Sequence, residues 1–262
     1  MHKLKNNFLL FSIQFVVFYS TAQEGTRIYK DNPLAVEGKI MIIPFEPLLY
    51  MSEIDFKINQ ITKWNFDQIR ENFRKQLNMQ LKLKFQSIAP VVSFYSDSAK
   101  MSKDLLYIYN STDLSYDLIS NSNEVKKTPA SQNGIKNGQL VVEVNTEKKF
   151  MSTRINDSKL LSYLEKKYDS HYFVFINQMD IKNNMESYDI ASDTYQREMA
   201  VHYSILDKNG KNISSGLAKA PFSSKVDDPK KIVAQTFPPI ATFIALKLSE
   251  LSKPELITIQ KK

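Results

Sequence analysis

The sequence contains no cysteine, and this absence restricts what the chain can fold into more than any other single feature. It excludes a disulfide scaffold, a cysteine-ligated zinc site and a catalytic thiol, and it leaves no cysteine to carry the lipid of a lipoprotein. Hydrophobic residues make up 42% of the chain and charged residues 24%, which is ordinary for a folded protein. We therefore expect a globular fold rather than a disordered chain.

Residues 1–22 have the pattern of a signal peptide. A basic start precedes an apolar stretch at residues 8–19, and small residues precede a cleavage site between Ala22 and Gln23. The alternative is a membrane anchor, but a membrane-spanning helix needs about 20 apolar residues and this stretch is shorter. We expect an exported protein (periplasmic, outer-membrane-associated or extracellular) without a transmembrane span in the mature chain, residues 23–262.

The basic residues argue against a nucleic-acid partner. Cleavage removes Lys3 and Lys5 and lowers the formal net charge of +7 by two. Only five of the 35 basic residues are arginines, and the lysines are scattered, whereas nucleic-acid surfaces favour clustered cations and arginine. The charge pattern instead favours a solvated surface or contact with an acidic component of the cell envelope.

The first part of the mature chain predicts a buried strand followed by helices. Residues 39–45 form an almost continuous apolar run, and Pro44 should stand at the end of that strand because it has no N–H for a ladder. Ser52 and Asp55 have the spacing of a helix start. A longer helix is predicted over residues 65–85, with an apolar stripe on one face (Ile69, Phe73, Leu77 and Leu81) and charges on the other (Arg70, Glu71, Arg74, Lys75 and Lys82).

The middle of the chain alternates short elements with one polar segment. A strand is predicted over residues 88–95, interrupted by Pro90, and a short helix over residues 104–109. Residues 120–138 are polar and rich in turn residues, which indicates a surface loop or a partly disordered insertion. Another short strand at residues 140–144 and a helix at residues 158–167 complete this part.

The last third has the clearest pattern. Residues 172–176 read as a strand buried on both faces, and residues 199–205 alternate apolar and polar side chains as a half-covered strand does. A turn at residues 207–210 leads to a returning strand at residues 213–222. Asp228 and Pro229 then begin a helix, in which Pro238 and Pro239 predict a kink or a break, leaving one helix or two as alternatives.

Together these elements predict an α/β (α+β) fold, organised as a single domain over residues 23–262. The expected architecture is a mixed β-sheet of about five strands with helices packed on it. The helices over residues 65–85 and 228–251 are the expected covering layer, and the polar loop near 120–138 is an insertion.

The chain lacks the common motifs of catalysis. No phosphate-binding loop, dinucleotide fingerprint, nucleophile elbow or zinc-protease helix is present, and the mature chain has only two histidines, His171 and His202. Both lie on predicted strands, where Asp180 or Glu198 could come close, so a secreted hydrolase or metal-dependent enzyme is one hypothesis. The alternative, which we favour, is that both are structural histidines. We predict no catalytic residue, no metal ligand and no cofactor.

Two further groups of residues have competing interpretations. Glu46, Glu53 and Asp55 follow the first strand, where α/β folds often place ligands, but carboxylates there also stabilise helix N-termini. Aromatic residues could form a binding patch, and a small-ligand carrier would need a sizeable apolar cavity beneath residues 105–118. The alternative is ordinary packing of those aromatic residues (Trp64, Tyr107, Tyr109 and Tyr116).

The element order, together with the apolar-Pro-Phe segment Ile43-Pro44-Phe45 and the late strand Ser215-Gly216-Leu217, resembles one class of envelope domain. The class includes curli-secretion-channel (CsgG-like) proteins, the outer-membrane activator of penicillin-binding proteins and the N-terminal domain of the Tol-system β-propeller protein. The likeness covers residues 38–95 and 158–250. It implies an exported α/β domain that binds other envelope proteins, and it carries over no catalytic residue.

The chain departs from that class in two respects. It has no cysteine to acylate, and residues 110–157 lack the paired long amphipathic strands of a channel-forming member, so channel activity is not implied. The expected function is a non-catalytic protein-interaction or assembly module of a bacterial envelope, with an envelope protein as its partner. The hydrolase using His171 or His202 and the small-ligand carrier are the alternatives.

Overall fold

The computed structural model describes residue 32 and residues 34–95, 98–119, 134–136, 139–141 and 149–251. The predicted signal peptide and most of the predicted loop near 120–138 lie outside the described residues. The strands are β1 (Lys39–Ile43), β2 (Tyr50–Ser52), β3 (Val91–Ser93), β4 (Thr112–Leu118), β5 (Gly134–Lys136), β6 (Gln139–Val141), β7 (Lys149–Ile155), β8 (Ser170–Asp189), β9 (Thr194–Asp207) and β10 (Asn212–Ser223). The helices are α1 (Asp55–Thr62), α2 (Phe66–Phe85), α3 (Ser98–Asn110), α4 (Leu160–Tyr168) and α5 (Pro229–Leu251).

A mixed six-stranded sheet confirms the predicted α/β fold. Its order is β10-β9-β8-β1-β3, with β2 pairing to β8 on the same side as β1. Strands β1, β3 and β8 are parallel, whereas β8, β9 and β10 are antiparallel neighbours. Two small antiparallel pairs, β4 with β7 and β5 with β6, lie outside this sheet.

One face of the sheet, here called the inner face, is covered by α2 and α5. The predicted stripe of α2 is buried there, and Phe73 meets Phe237 of α5 edge to face at 6.2 Å between ring centroids. The strands contribute the alternate apolar residues that β9 was predicted to bury, namely Met199, Val201, Tyr203 and Ile205. Burial of apolar surface stabilises a fold by about 25 cal/mol per Å², and this layer holds the larger of the two buried apolar clusters.

Helix α5 begins as predicted and then continues through its prolines. Asp228 caps it, because its Oδ1 accepts the N–H of Lys230 at 2.9 Å, and Pro229 occupies the first helical position. A single helix spans Pro238 and Pro239, so the one-helix alternative is correct. The stretch Pro229–Ser249 is long and apolar enough to cross a membrane by length and composition, but 56% of its apolar 18-residue window is buried within this fold.

The opposite face, here called the outer face, has an apolar end and a polar end. At the apolar end, Phe173, Phe175 and Leu206 pack with residues of α3 and α4 such as Ile108 and Leu164. At the polar end, the buried residues are Asn177, Asp180, His202 and Ser204, and strand β7 lies across them. The prediction that β9 is only half covered is wrong, because β7 buries its polar side chains as well.

A β-bulge in β8 separates these two ends. Ile176 pairs with Tyr203 and Gln178 pairs with His202, so Asn177 is an extra residue with no counterpart in β9. Side chains alternate along a regular strand, so two residues three positions apart would point to opposite faces. Ile176 and Met179 nevertheless both belong to the inner core, and the extra residue between them makes this possible. The bulge therefore turns Asn177 and Gln178 together toward the outer face.

Several elements are longer than the sequence pattern predicted. β8 has 20 residues, far more than the predicted residues 172–176. The prediction stopped just before the bulge at Asn177, and the second half of the strand is mostly polar. Strands β4 and β7 were not predicted, although they pair over seven residues each within residues 110–157. Helix α3 is also longer than the predicted residues 104–109.

Candidate functional site

The parallel strands β1 and β3 end at the same level of the sheet, where Ile43 pairs with Phe175 of β8, while β8 itself continues to Asp189. The carboxyl ends of parallel strands are where α/β folds commonly bind ligands. Strand β1 leaves the sheet at Pro44, makes a 3₁₀ turn at Pro47–Leu49, and returns as β2 alongside β8. The backbone carbonyls of Pro44 and Phe45 lose their ladder partners in this excursion. Two side chains satisfy them: the Tyr109 hydroxyl donates to Pro44 O at 2.6 Å and Arg74 Nε donates to Phe45 O at 2.6 Å.

Arg74 is the centre of a buried polar cluster beside this excursion. Its guanidinium also donates to the hydroxyls of Tyr95 (2.6 Å) and Tyr109 (2.9 Å), and it lies 3.6 Å from a carboxylate oxygen of Glu71. Burial raises the pKa of the Tyr109 phenol to about 12, even though Arg74 beside it favours the phenolate. The prediction that Arg74 belongs to the charged side of α2, opposite the apolar stripe, is wrong, because only 9% of the residue is exposed.

A small crevice opens between the Arg74 cluster and strand β7. Its volume is about 20 Å³, which holds about one water molecule. The lining includes Pro44, Glu46, Leu49, Tyr109, Leu114, Thr153 and Asn177. The small-ligand-carrier hypothesis predicted a sizeable apolar cavity beneath residues 105–118, and this crevice beside Tyr109 and Leu114 is far below the 300 Å³ or so of a ligand pocket. A second cavity of about 630 Å³ is an open depression on α3 and α4 rather than an enclosed apolar one. Its lining carries charged side chains beside the tyrosines (Asp104, Tyr107, Lys159, Ser162, Tyr163 and Lys166).

His202 lies under β7 with both ring nitrogens engaged. Its Nδ1 accepts the backbone N–H of Met151 at 2.8 Å, and its Nε2 lies 3.4 Å from Asp180 Oδ2. Because Nδ1 accepts, the proton of the neutral ring is on Nε2 and faces the carboxylate. Neither nitrogen therefore keeps a free lone pair for a metal ion or for proton abstraction.

Asp180 links His202 to the surface through a chain of hydrogen bonds. Burial by itself would raise the pKa of Asp180, but hydrogen bonds from His202 and Gln178 hold that pKa below its ordinary value. Gln178 Nε2 donates to Asp180 Oδ1 at 2.6 Å, and Gln178 Oε1 accepts the Tyr116 hydroxyl at 2.8 Å. Glu198, the other carboxylate considered from sequence, pairs instead with Lys219 at 2.8 Å.

The structure does not bring the two histidines together. Cross-strand pairing puts His202 beside Gln178, seven residues along β8 from His171, a distance of about 23 Å at about 3.3 Å per residue. His171 packs against Gly38 at the other end of the strand. The hydrolase hypothesis predicted an imidazole close to a carboxylate and lining a pocket. His202 meets the first condition, but neither of the two cavities described is lined by His202 or His171.

Two of the three carboxylates after β1 serve internal contacts, and the third, Glu46, lines the crevice. Glu53 accepts the backbone N–H of Asn183 at 2.8 Å, and Asp55 accepts the Tyr50 hydroxyl at 2.7 Å. The helix start predicted at Ser52 is wrong, because the residue preceding α1 is Ile54 and no side chain caps this end. Within the described part of the chain, no group of three or more histidine and carboxylate side chains could hold a metal ion.

The aromatic residues singled out from sequence are separated. Trp64 packs against the inner core, whereas Tyr107 donates to Asp157 at 2.6 Å between α3 and α4. Tyr109 belongs to the Arg74 cluster, and only Tyr116 is exposed. The hypothesis that all four residues form one binding patch is therefore wrong.

Large apolar side chains are uncovered beside the crevice. Leu48 is 85% exposed, and Met51, Tyr116 and Leu118 are each more than half exposed. Gln178 joins two of them, because it contacts Met51 Sδ at 3.6 Å as well as the Tyr116 hydroxyl. Tyr116 and Leu118 share one face of β4 through strand alternation. We call these four residues, Leu48, Met51, Tyr116 and Leu118, the carboxyl-edge surface.

No protein-family model matches the chain, and no curated protein matches it. Several solved structures resemble it. Two of them are each 10% identical to it and are each covered over 98% of their own length. The lipoprotein GNA1162 of Neisseria meningitidis aligns with 79% of this chain at a TM-score of 0.35. The hypothetical protein CT253 of Chlamydia trachomatis aligns with 81% of this chain at a TM-score of 0.38.

Proposed function

We propose that this chain is an exported bacterial envelope protein that acts as a non-catalytic interaction module. Its carboxyl-edge surface binds an apolar surface of another envelope protein. The signal-peptide pattern of residues 1–22 supports export, because a basic start, an apolar stretch and a small-residue cleavage site occur in the required order.

One observation carries the proposal. At the carboxyl edge, the side chains of Arg74 and His202 are committed to internal hydrogen bonds, while large apolar side chains are uncovered. Arg74 is bonded to a carbonyl and two phenols, and both nitrogens of His202 are engaged. Exposed apolar residues grouped at one site are typical of protein-binding surfaces, whereas single ones scattered over a surface are not informative.

The chemistry of the surface indicates what it binds. Its four members are two aliphatic side chains, a methionine and a tyrosine, and aromatic residues and methionine are enriched in protein interfaces. Methionine adapts to irregular apolar partners, and the tyrosine keeps its hydroxyl bonded to Gln178 while its ring is exposed. The partner contact is therefore an apolar protein surface of modest area rather than a deep ligand pocket.

Site-specific photocrosslinking in the native cells tests the proposal. A photoreactive residue is placed at Leu48 or Leu118 of the tagged full chain, and at Leu83 of α2 as a matched control. Leu83 and Leu118 are 62% and 61% exposed, so accessibility does not distinguish them. We expect one dominant adduct with an envelope protein from Leu48 and from Leu118, and none from Leu83, in the envelope fraction.

The captured protein is then purified and its binding measured directly. Leu118→Asp should weaken the affinity of this chain for the captured protein at least about tenfold, because it places a charge in the buried apolar contact. Leu83→Asp should leave that affinity unchanged, because Leu83 lies outside the contact. Adducts of equal strength at all three positions, or none at any, would contradict the proposal. So would turnover of an envelope substrate that is lost on His171→Ala or His202→Ala.

A further inference from the structure

Strand β7 is held on the outer face by side chains in place of a neighbouring strand. One edge of β7 pairs with β4, and the other edge faces the large sheet. On that second edge the N–H groups of Met151 and Thr153 donate to His202 Nδ1 (2.8 Å) and to Ser204 Oγ (3.1 Å). The carbonyl of Met151 accepts Asn177 Nδ2 at 2.7 Å. Three side chains thus satisfy backbone groups that an exposed edge would leave to water.

Only one of these three anchors can change its charge in ordinary conditions. Asparagine and serine cannot take up a proton in this way, whereas an imidazole can bind a second proton and become charged. Neutral His202 accepts the Met151 N–H at Nδ1 and directs its Nε2 proton to Asp180. A second proton can be added only at Nδ1. The ring would then present an N–H to the N–H of Met151, so the anchor would become a repulsive contact.

Asp180 keeps the ring in place in both charge states, because Nε2 carries a proton in each. The strands around the ring carry other ionisable groups, among them Arg154 of β7, which pairs with Asp117 of β4 at 3.3 Å. Lys182 of β8 is 3.5 Å from Asp180, and Tyr116 of β4 meets the ring edge to face at 6.3 Å. On β9 the outer-face carboxylate is Glu198, which is paired with Lys219 of β10, and the residue of β10 opposite His202 is the apolar Leu217.

We propose that His202 is a pH-operated clasp that holds β7, and with it β4, against the sheet when neutral and releases it when protonated. Asn177 and Ser204 remain as anchors, so acid loosens the β4–β7 pair without unfolding the inner core. The clasp does not depend on the proposed function, because its readout is the exposure of β7 backbone groups.

Amide hydrogen exchange on the full mature chain tests the clasp. Protection factors of the Met151 and Thr153 amides are measured at pH 7.5 and at pH 5.0, with correction for the intrinsic pH dependence of exchange. We expect the protection of Met151 to fall about tenfold at the lower pH, which is the effect of losing one buried hydrogen bond. Amides of α2 should keep their protection, because the inner face has no titrating anchor of this kind.

Two variants give the control. In His202→Asn the side-chain oxygen takes the position of Nδ1 and cannot be charged, so the pH dependence at Met151 should disappear. In His171→Asn it should persist unchanged. Retention of the full pH effect in His202→Asn would overturn the proposal, as would an effect lost in His171→Asn.

A measurement on His171→Asn covers the case in which His202→Asn fails to fold. His202 is then the single histidine of the mature chain, so its ring signals are unambiguous in NMR. The chemical shifts of the His202 ring and of the Met151 amide should change with pH around the same midpoint. Different midpoints, or a Met151 amide that does not respond, would contradict the clasp.

Discussion

The two faces of the central sheet are built from alternate residues of the same strands, yet they are held in different ways. On the inner face, Val201, Tyr203 and Ile205 of β9 pack against α2 and α5. On the outer face, the intervening residues His202 and Ser204 of the same strand accept hydrogen bonds from the backbone of β7. Apolar packing is non-directional, and its contribution to stability depends on how well the side-chain volumes fill the core. Each outer-face anchor, in contrast, depends on one hydrogen-bond donor meeting one acceptor.

The difference shows where change is tolerated. A core side chain can be exchanged for another of similar volume at a cost below about 1.5 kcal/mol. Removing one member of a buried hydrogen-bonded pair leaves the other unsatisfied, which costs about 1–3 kcal/mol whatever volume replaces it. The inner face should therefore set the total stability, and the outer face should set the position of β7.

The largest effect is expected from breaking the inner face. Phe73 is fully buried and contacts both Phe237 and Tyr50, so Phe73→Ala should lower the free energy of unfolding by about 3–5 kcal/mol. Chemical denaturation gives this value. Phe56→Ala on α1 is the control, because Phe56 is 65% exposed and its loss should change stability by no more than about 0.5 kcal/mol. Similar losses in the two variants would show that the inner core is not where stability resides.

A smaller effect is expected from removing the central outer-face anchor. Asn177 accepts the Thr153 hydroxyl and donates to Met151 O and to Ser204, so Asn177→Ala leaves buried groups unsatisfied and should cost about 1–3 kcal/mol. Amide exchange should show β7 losing protection more than α2. A uniform loss of protection across the molecule would mean that the two faces are not separable in this way.

The smallest effect is expected from the titration of Asp180. Its folded pKa is lowered, so it stabilises the fold above its unfolded pKa of about 3.9, and this contribution is lost as the pH falls through the folded pKa. Asp180→Asn keeps an acceptor for His202 but has no charge to lose. Between pH 5 and pH 3 the variant should therefore lose less stability than the wild type in denaturant titrations. An equal or greater loss in the variant would contradict this role.

The inner face could be predicted from sequence because its information is local. The spacing of Ile69, Phe73, Leu77 and Leu81 defines one side of a helix, and the alternation in residues 199–205 defines one side of a strand. Each pattern is complete within a single element. The cap at Asp228 is similarly local, and it too is confirmed.

The outer face could not be predicted because its information is distributed. β7 mixes apolar and polar residues without a regular alternation. What makes it a buried strand is the set of partners on β4, β8 and β9, up to 51 residues away in the chain. The Asn177-Gln178 pair within an apolar run was the one local signal of the bulge. Arg74 gave no signal, since its burial follows from the carbonyl of Phe45 across the packing interface rather than from its neighbours in α2.

The bulge at Asn177 has a consequence for comparing this chain with its relatives. A relative whose equivalent strand lacks the extra residue would need a gap of one position there. An ungapped alignment through β8 would set its core residues opposite Gln178 and Asp180, and its polar residues opposite Met179 and Ile181. Matched positions beyond the bulge would then count as mismatches, so divergence would be overstated where the fold is preserved.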